Sequence, residues 1–274
     1  QMEKGRGFLT KDEMDEISDD PGRLNVVGKE NENSPLVLSK AGRLYFRKYF
    51  EYELSIARFL IDSADSNDSS LLKDAISCFE KNFGELVDDY QSLAVGLGII
   101  RNWMLLSGGP GTGKTRTLVV LISLLLEIKP ELRIAMVAPT GKAAFRLQQS
   151  IDETVKNLGL SKELVTRLSD LSTTSTIHRL LGVIPGSIDF RRNKSNPLPH
   201  DLVVVDEASM IDLPLMAKLC DALREDTKLV LIGDAAQLAP VHGGAVFNGL
   251  IESAQPNEFR EEDLSKMGVF SDSA

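Results

Sequence analysis

The sequence predicts an α/β protein in which a parallel sheet is flanked by helices, preceded by a small, mainly helical N-terminal region. Three observations predict it. Short apolar runs of strand length recur at 103–107, 133–138, 202–205 and 228–232, each followed by turn residues or a helix-like segment. That alternation is what a parallel sheet wrapped by helices requires. The run 118–126 (Leu-Val-Val-Leu-Ile-Ser-Leu-Leu-Leu) follows directly on a glycine-rich turn and is apolar on every side, so it reads as a buried helix. Ahead of these, Tyr45, Tyr49, Tyr52, Ile56, Phe59 and Leu60 recur at helical spacing, and Leu71, Leu72, Ala75, Ile76 and Phe79 do so again.

The chain therefore divides into a small N-terminal domain at 1–88 and one α/β domain at 89–274. Within the first, Pro21-Gly22 and the stretch 28–34 read as loops and 62–70 as a polar connector. The aromatic stripe over 45–60 builds either a small helical core or a face on which a partner docks. Residues 182–201, with Pro185-Gly186, Arg191-Arg192-Asn193-Lys194 and two further prolines, read as a loop-rich insertion ahead of the third strand, its basic cluster a solvated loop.

Composition narrows the function classes. Hydrophobic residues make up 42% of the chain, enough for a proper core, yet no apolar run approaches the roughly 20 residues of a membrane-spanning helix. The N-terminus lacks the basic-then-apolar pattern of a signal peptide. Cys78 and Cys220 lie far apart and fit neither a disulfide framework nor a zinc site, so a reducing, cytoplasmic home is expected. The three histidines, 178, 200 and 242, show no metal-ligand spacing. Of the formal net charge of −9, −7 falls in residues 1–90, so the α/β part is close to neutral and charge alone gives no support for nucleic-acid binding.

The chemistry concentrates in three turns. Gly108-Gly109-Pro110-Gly111-Thr112-Gly113-Lys114-Thr115 is G-x-x-x-x-G-K-T between a strand and a helix, the phosphate loop of ATP-binding proteins. Its glycines turn successive backbone N–H groups onto phosphate oxygens, and the following helix adds its positive end. Gly109 to Arg116 are the expected nucleotide contacts, with Lys114 reaching the β- and γ-phosphates and the Thr115 hydroxyl on Mg2+. The run 203–207 (Val-Val-Val-Asp-Glu) ends an apolar strand in two carboxylates. Asp206 delivers one to Mg2+, directly or through water, and Glu207 is placed to polarise the attacking water. A further strand leads to Gly233-Asp234-Ala235-Ala236-Gln237, where Gln237 is placed to touch both the γ-phosphate and that water. Upstream, Gln91 offers a two-sided amide that either reads an adenine edge or is an ordinary surface residue.

Taken in order, Gln91, the phosphate loop, Ala138-Pro139-Thr140-Gly141-Lys142-Ala143-Ala144, Thr176-Ile177-His178-Arg179-Leu180-Leu181-Gly182, Asp206-Glu207-Ala208-Ser209-Met210 and Gly233 to Leu238 resemble the N-terminal motor motifs of superfamily 1 helicases. More narrowly they resemble the RecD family, alpha subunits of exodeoxyribonuclease V, strongly over 91–249 and more weakly over 36–60. The resemblance implies a RecA-like first motor domain of a 5′-to-3′ DNA helicase, driven by ATP and Mg2+, acting in double-strand break repair and recombination beside sister subunits. It also implies that Pro139, Thr140, Gly141 and Lys142, with Thr176 and His178, lie along single-stranded DNA, where hydroxyls, N–H groups and one lysine give sequence-blind phosphate contacts. A solvated Lys142 and a buried, hydrogen-bonded His178 are the competing readings.

Two other functions stay open: a stand-alone RecD-like repair helicase, and an assembly piece docking through 1–88. A P-loop kinase is disfavoured by the Asp206-Glu207 pair. Such motors close two RecA-like domains on ATP, the second supplying an arginine worth about 10³–10⁵ in rate. After Gln237 only 37 residues follow, and Arg260, the arginine among them, sits in acidic surroundings. The chain is thus expected to be the front part of a helicase subunit that binds ATP–Mg2+, hydrolyses it slowly and does not unwind DNA.

Overall fold

A computed structural model of the chain describes residues 6–8, 26–30, 32–63, 70–170, 174–237 and 246–253. The loop expected at Pro21-Gly22, most of the 62–70 connector, Leu238, His242 and Arg260 lie outside the described residues.

The N-terminal region carries strands as well as helices. Strands β1 (Arg6–Phe8), β2 (Val27–Gly28), β3 (Leu36–Leu38) and β4 (Arg43–Phe46) form a sheet in the order β1-β4-β3-β2. Strands β3 and β4 are a hairpin, with Val37 opposite Tyr45, and its turn ends on Gly42 at φ +74°. Helical spacing from residue 45 onward does not disclose this hairpin, because two three- to four-residue strands leave too short a period to read. The Arg47 guanidinium then ties the region together, donating to the carbonyls of Lys29, Glu30 and Ser34.

Helix α1 (Arg47–Asp62) is where the aromatic stripe lands, and it serves two cores. Phe50 packs edge-on against Tyr45 over the small sheet, ring centroids 5.5 Å apart. Ile56 and Leu60, with Tyr49, Tyr52 and Phe59 partly covered, instead join the core of the large domain. Helix α2 (Ser70–Asn82) puts Ala75 and Phe79 into that domain's opposite core. The stripe expected to build a small core of its own instead packs on the large domain from Tyr49 to Leu60, and its first member, Tyr45, lies in β4 and meets Phe50 over the small sheet.

The large domain follows the expected alternation: α3 (Asp89–Ile100), β5 (Trp103–Ser107), α4 (Lys114–Ile128), β6 (Ile134–Ala138), α5 (Gly141–Asn157), α6 (Lys162–Asp170), β7 (Ser175–Thr176), α7 (Ile177–Leu181), β8 (Leu202–Val205), α8 (Leu213–Ala222), β9 (Lys228–Gly233) and α9 (Val246–Ser253). The five strands are all parallel, in the order β5-β9-β8-β6-β7. Every residue of β8 is buried, as in a strand covered on both faces. Val204, Val230 and Met136 point into a core with α4 and α5, while Val203, Val205 and Leu231 point into one with α1 and α8. Helix α4 is the apolar run expected after the phosphate loop, buried without a break from Thr117 to Leu126. The two-residue strand β7 has no apolar run and was not legible.

At the N-terminal edge of the sheet, Asp201 clamps three strands. Its carboxylate accepts from Arg133 Nε (3.0 Å), Arg133 Nη2 (2.7 Å) and Arg224 Nη2 (2.8 Å). Its carbonyl accepts from the N–H of Lys228, which opens β9. Hydrogen bonds from the Arg133 side chain hold the Asp201 carboxyl well below the ordinary carboxylate range; the Arg133 N–H and Arg224 add to this and partial burial opposes it. A carboxyl depressed in the fold stabilises it above the unfolded-chain pKa of about 3.9 and stops doing so as pH falls toward the folded value. Asp201→Asn is therefore expected to lower stability at pH 7 by roughly 1 kcal/mol, with the gap to wild type closing as urea melts are repeated from pH 5 down to pH 2; a gap constant over that range would contradict the clamp.

Candidate active site

Parallel strands all deliver their turns to one edge, and here the strand order makes three turns neighbours. Ser107 pairs with Gly233, Val205 pairs with Leu231, and the Gly108 N–H donates to the Gly233 carbonyl at 3.3 Å. The phosphate loop, the Asp206-Glu207 turn and the turn ending in Gln237 thus stand side by side.

In the phosphate loop, Gly111 (φ +78°) and Gly113 (φ +83°) hold left-handed backbone that strongly favours glycine. A Cβ at Gly109 or Gly111 would meet no atom within 4 Å, so the rim is open to a ligand. The Lys114 ammonium lies across the loop, donating to the carbonyls of Gly108 (2.5 Å) and Gly109 (2.7 Å). Thr112 closes the turn by donating to Gly109. Gln91 belongs to this wall. Its N–H donates to Asp88 Oδ1 (2.9 Å) and its Oε1 accepts from the Asp88 N–H (3.3 Å), a capping box that starts α3. The remaining Nε2 lies against Gly113, where any Cβ would strike it. Arg116 is exposed and donates through Nε to the Leu86 carbonyl, tying the segment before Gln91 to α4.

Asp206 is largely buried. Burial pushes its carboxyl above the ordinary carboxylate range and the Glu207 charge adds to this, while the Glu207 N–H and the positive Lys114 oppose it. Glu207 follows at φ +53°, ψ +38°, the one non-glycine residue with positive φ among the described residues. Such strain persists only where the surrounding structure imposes it. Here the Glu207 carbonyl accepts from the Met210 N–H, closing the short helical turn Ala208–Met210. That turn and α9 together crowd the end of β9: a Cβ at Gly233 would sit 3.1 Å from the Ser209 nitrogen of the turn and 2.9 Å from the Phe247 ring of α9.

The oxygens of Thr115 and Asp206, beside the open loop, are hard ligands of the kind Mg2+ prefers, so the residues present fit the ion. Gln237 ends a turn in which Asp234 accepts from the N–H groups of Ala236 and Gln237. Its side chain is exposed and makes no hydrogen bond to another described residue.

Next along the edge, β6 and β7 carry the segments expected to face DNA. Thr140 caps α5, its hydroxyl accepting from Ala143, and Thr176 caps α7 in the same way through Arg179. Pro139 is half-buried; Gly141 and Lys142 are exposed. His178 is exposed too, its ring edge-on to Phe190 at 5.7 Å, so the buried-histidine reading does not hold. A groove of about 700 Å³ lies between α5 and the β7–α7 segment, lined by Gly141, Phe145, Gln148, Thr174, Thr176 and Arg179. Phe145, 63% exposed there, and Ser150, whose hydroxyl reaches Thr115 Oγ1 at 3.0 Å, were not found from sequence. An aromatic on the outer side of an otherwise amphipathic helix was the available signal for Phe145; a mid-helix serine carries none.

The AAA domain family matches residues 91–243, more than half of the chain and the span from Gln91 through Gln237. The chain belongs to that family. Within it, this AAA domain is RecD-like. It is 40% identical over 215 residues to the RecBCD enzyme subunit RecD of Mycolicibacterium smegmatis, covering 76% of this chain and 37% of that protein. It is 39% identical over 236 residues to the RecBCD enzyme subunit RecD of Haemophilus influenzae, covering 81% and 36%. With the ATP-dependent RecD2 DNA helicase of Deinococcus radiodurans it shares 30% over 246 residues, covering 85% and 29%. The chain spans little more than a third of the length of the two RecD subunits and less than a third of the RecD2 helicase. Among the described residues, no helix is long and apolar enough to cross a membrane.

The strained turn is directly testable. A left-handed L-residue costs about 1–2 kcal/mol, less for small or polar residues and more for β-branched ones. Glu207→Val is expected to lower the unfolding free energy measured in urea by about 1–2 kcal/mol, whereas Glu207→Gly is expected to leave it unchanged or raised. Equal loss in both variants would contradict the geometry.

Proposed function

We propose that this AAA domain is the ATP-hydrolysing first motor domain of a RecD-like 5′-to-3′ DNA helicase that acts in double-strand break repair and recombination. One observation carries the reading: the sheet order sets Lys114 and Thr115, Asp206 and Glu207, and the Gln237 turn on a single edge. Each group then has a task. The N–H groups from Gly109 to Thr115 and the N-terminus of α4 bind the phosphates, and Lys114 exchanges its loop carbonyls for the β- and γ-oxygens. Gln91 and Arg116 border the same loop as further nucleotide contacts. Thr115 and Asp206 hold Mg2+, which when bound neutralises charge on the phosphates. Glu207, aimed by its left-handed backbone, takes the proton of the attacking water, and Gln237 reports the state of the γ-phosphate to the rest of the motor.

Single-stranded DNA lies along the caps of α5 and α7, held by Pro139, Thr140, Gly141, Lys142, Thr176 and His178. The exposure of Lys142 and His178 and the helix N-termini at Thr140 and Thr176 support this path. Sister subunits of exodeoxyribonuclease V are the proposed protein partners, on the strength of the RecD likeness, and the work is cytoplasmic. Residues 1–88 form the accessory N-terminal unit and a candidate for subunit docking; 89–274 form the motor domain, beginning at the helix that carries Gln91.

The nucleotide site is tested by titrating the 274-residue chain with fluorescent ATP in Mg2+ buffer. Lys114→Ala is expected to weaken binding at least tenfold with an unchanged melting curve and circular dichroism spectrum. Undiminished binding would contradict the assignment.

A further inference from the structure

Helix α5 begins at the surface proposed to face DNA and runs back beneath the phosphate loop. Its packing partner is α4, the helix that opens with Lys114 and Thr115. At the tenth residue of α5, Ser150 Oγ donates to Thr115 Oγ1 at 3.0 Å. A hydroxyl in mid-helix ordinarily turns back to the carbonyl one turn earlier. Thr154 on the same helix does so, to the Ser150 carbonyl at 2.6 Å, and Thr117 on α4 does so to the Gly113 carbonyl at 3.2 Å. Ser150 instead reaches 35 positions along the chain to a second hydroxyl.

What that bond does follows from hydroxyl valence. Thr115 Oγ1 has two lone pairs and one proton. With Ser150 occupying one lone pair, the second is left for a cation and the proton for an anionic neighbour. The threonine side chain, stiff about χ1, is held in one rotamer by the same bond. We propose that Ser150 is a positioning residue for magnesium, orienting the Thr115 hydroxyl so that a free lone pair faces the ion; the proposal rests on the nucleotide-site reading above. Ser150 also makes α5 a strut. Its ten residues from Gly141 span about 14 Å, so the Thr140 cap, exposed beside Lys142, and the metal ligand are joined through one rigid element.

The test uses the whole 274-residue chain and a fluorescent ATPγS, titrated once with Mg2+ and once with EDTA. The quantity read is the factor by which Mg2+ tightens binding. In Ser150→Ala that factor is expected to fall about three- to tenfold while affinity in EDTA stays at the wild-type value, and Ser150→Thr, which keeps the hydroxyl, is expected to restore it. Alanine is a better helix former than serine, so the variant retains its helix, which circular dichroism verifies. A full magnesium effect in Ser150→Ala, or an equal loss in Mg2+ and in EDTA, overturns the positioning role and leaves the nucleotide site standing. A wild-type chain in which Mg2+ tightens nothing overturns the metal site itself, and the role of Ser150 with it.

Discussion

Parallel pairing of β5 to β9 and of β9 to β8 is the constraint from which the rest of the site follows. A parallel sheet buried on both faces sends every strand out at the same edge, so whatever residues end the strands become neighbours. Strand order then decides which ones. With β9 between β5 and β8, the phosphate loop and the acidic turn are separated by a single strand. Asp201, bound by Arg133 and Arg224 at the opposite edge, holds the N-terminal ends of the strands together. The clamp ties the strands at the edge opposite the proposed site, and the left-handed backbone of Glu207 lies at the edge where chemistry is proposed.

Most of this was legible in the residues because it rests on short-range patterns. Four apolar runs marked four strands to within a residue, and the G-x-x-x-x-G-K-T spacing placed the loop between β5 and α4. The contacts that escaped are long-range. The Gln91 amide against Gly113, the Ser150 hydroxyl on Thr115 and the Arg133–Asp201–Arg224 clamp join residues tens of positions apart through ordinary polar side chains. No periodicity announces such a pair. Strand β7 and the β3–β4 hairpin escaped for a different reason: two to four residues are too few for alternation to be read.

The N-terminal region shows how one helix can belong to two bodies. Helix α1 gives Phe50 to the small sheet and Ile56 and Leu60 to the large one, and two polar bonds fix it there: Trp103 Nε1 to the Leu60 carbonyl at 2.9 Å and Ser55 Oγ to Asp221 at 2.5 Å. A line between domains drawn at residue 88 separates the chain by motif. The packing does not follow that line, since α2 lies on the same core as α4.

The central claim is that three turns on one sheet edge make a single nucleotide site. A crystal structure of the chain with Mg2+ and a non-hydrolysable ATP analogue tests it most directly. The account predicts the Lys114 ammonium off the Gly108 and Gly109 carbonyls and on the β- and γ-phosphates, with Mg2+ between Thr115 and Asp206. An analogue bound elsewhere, with Lys114 still on its own loop, would contradict it.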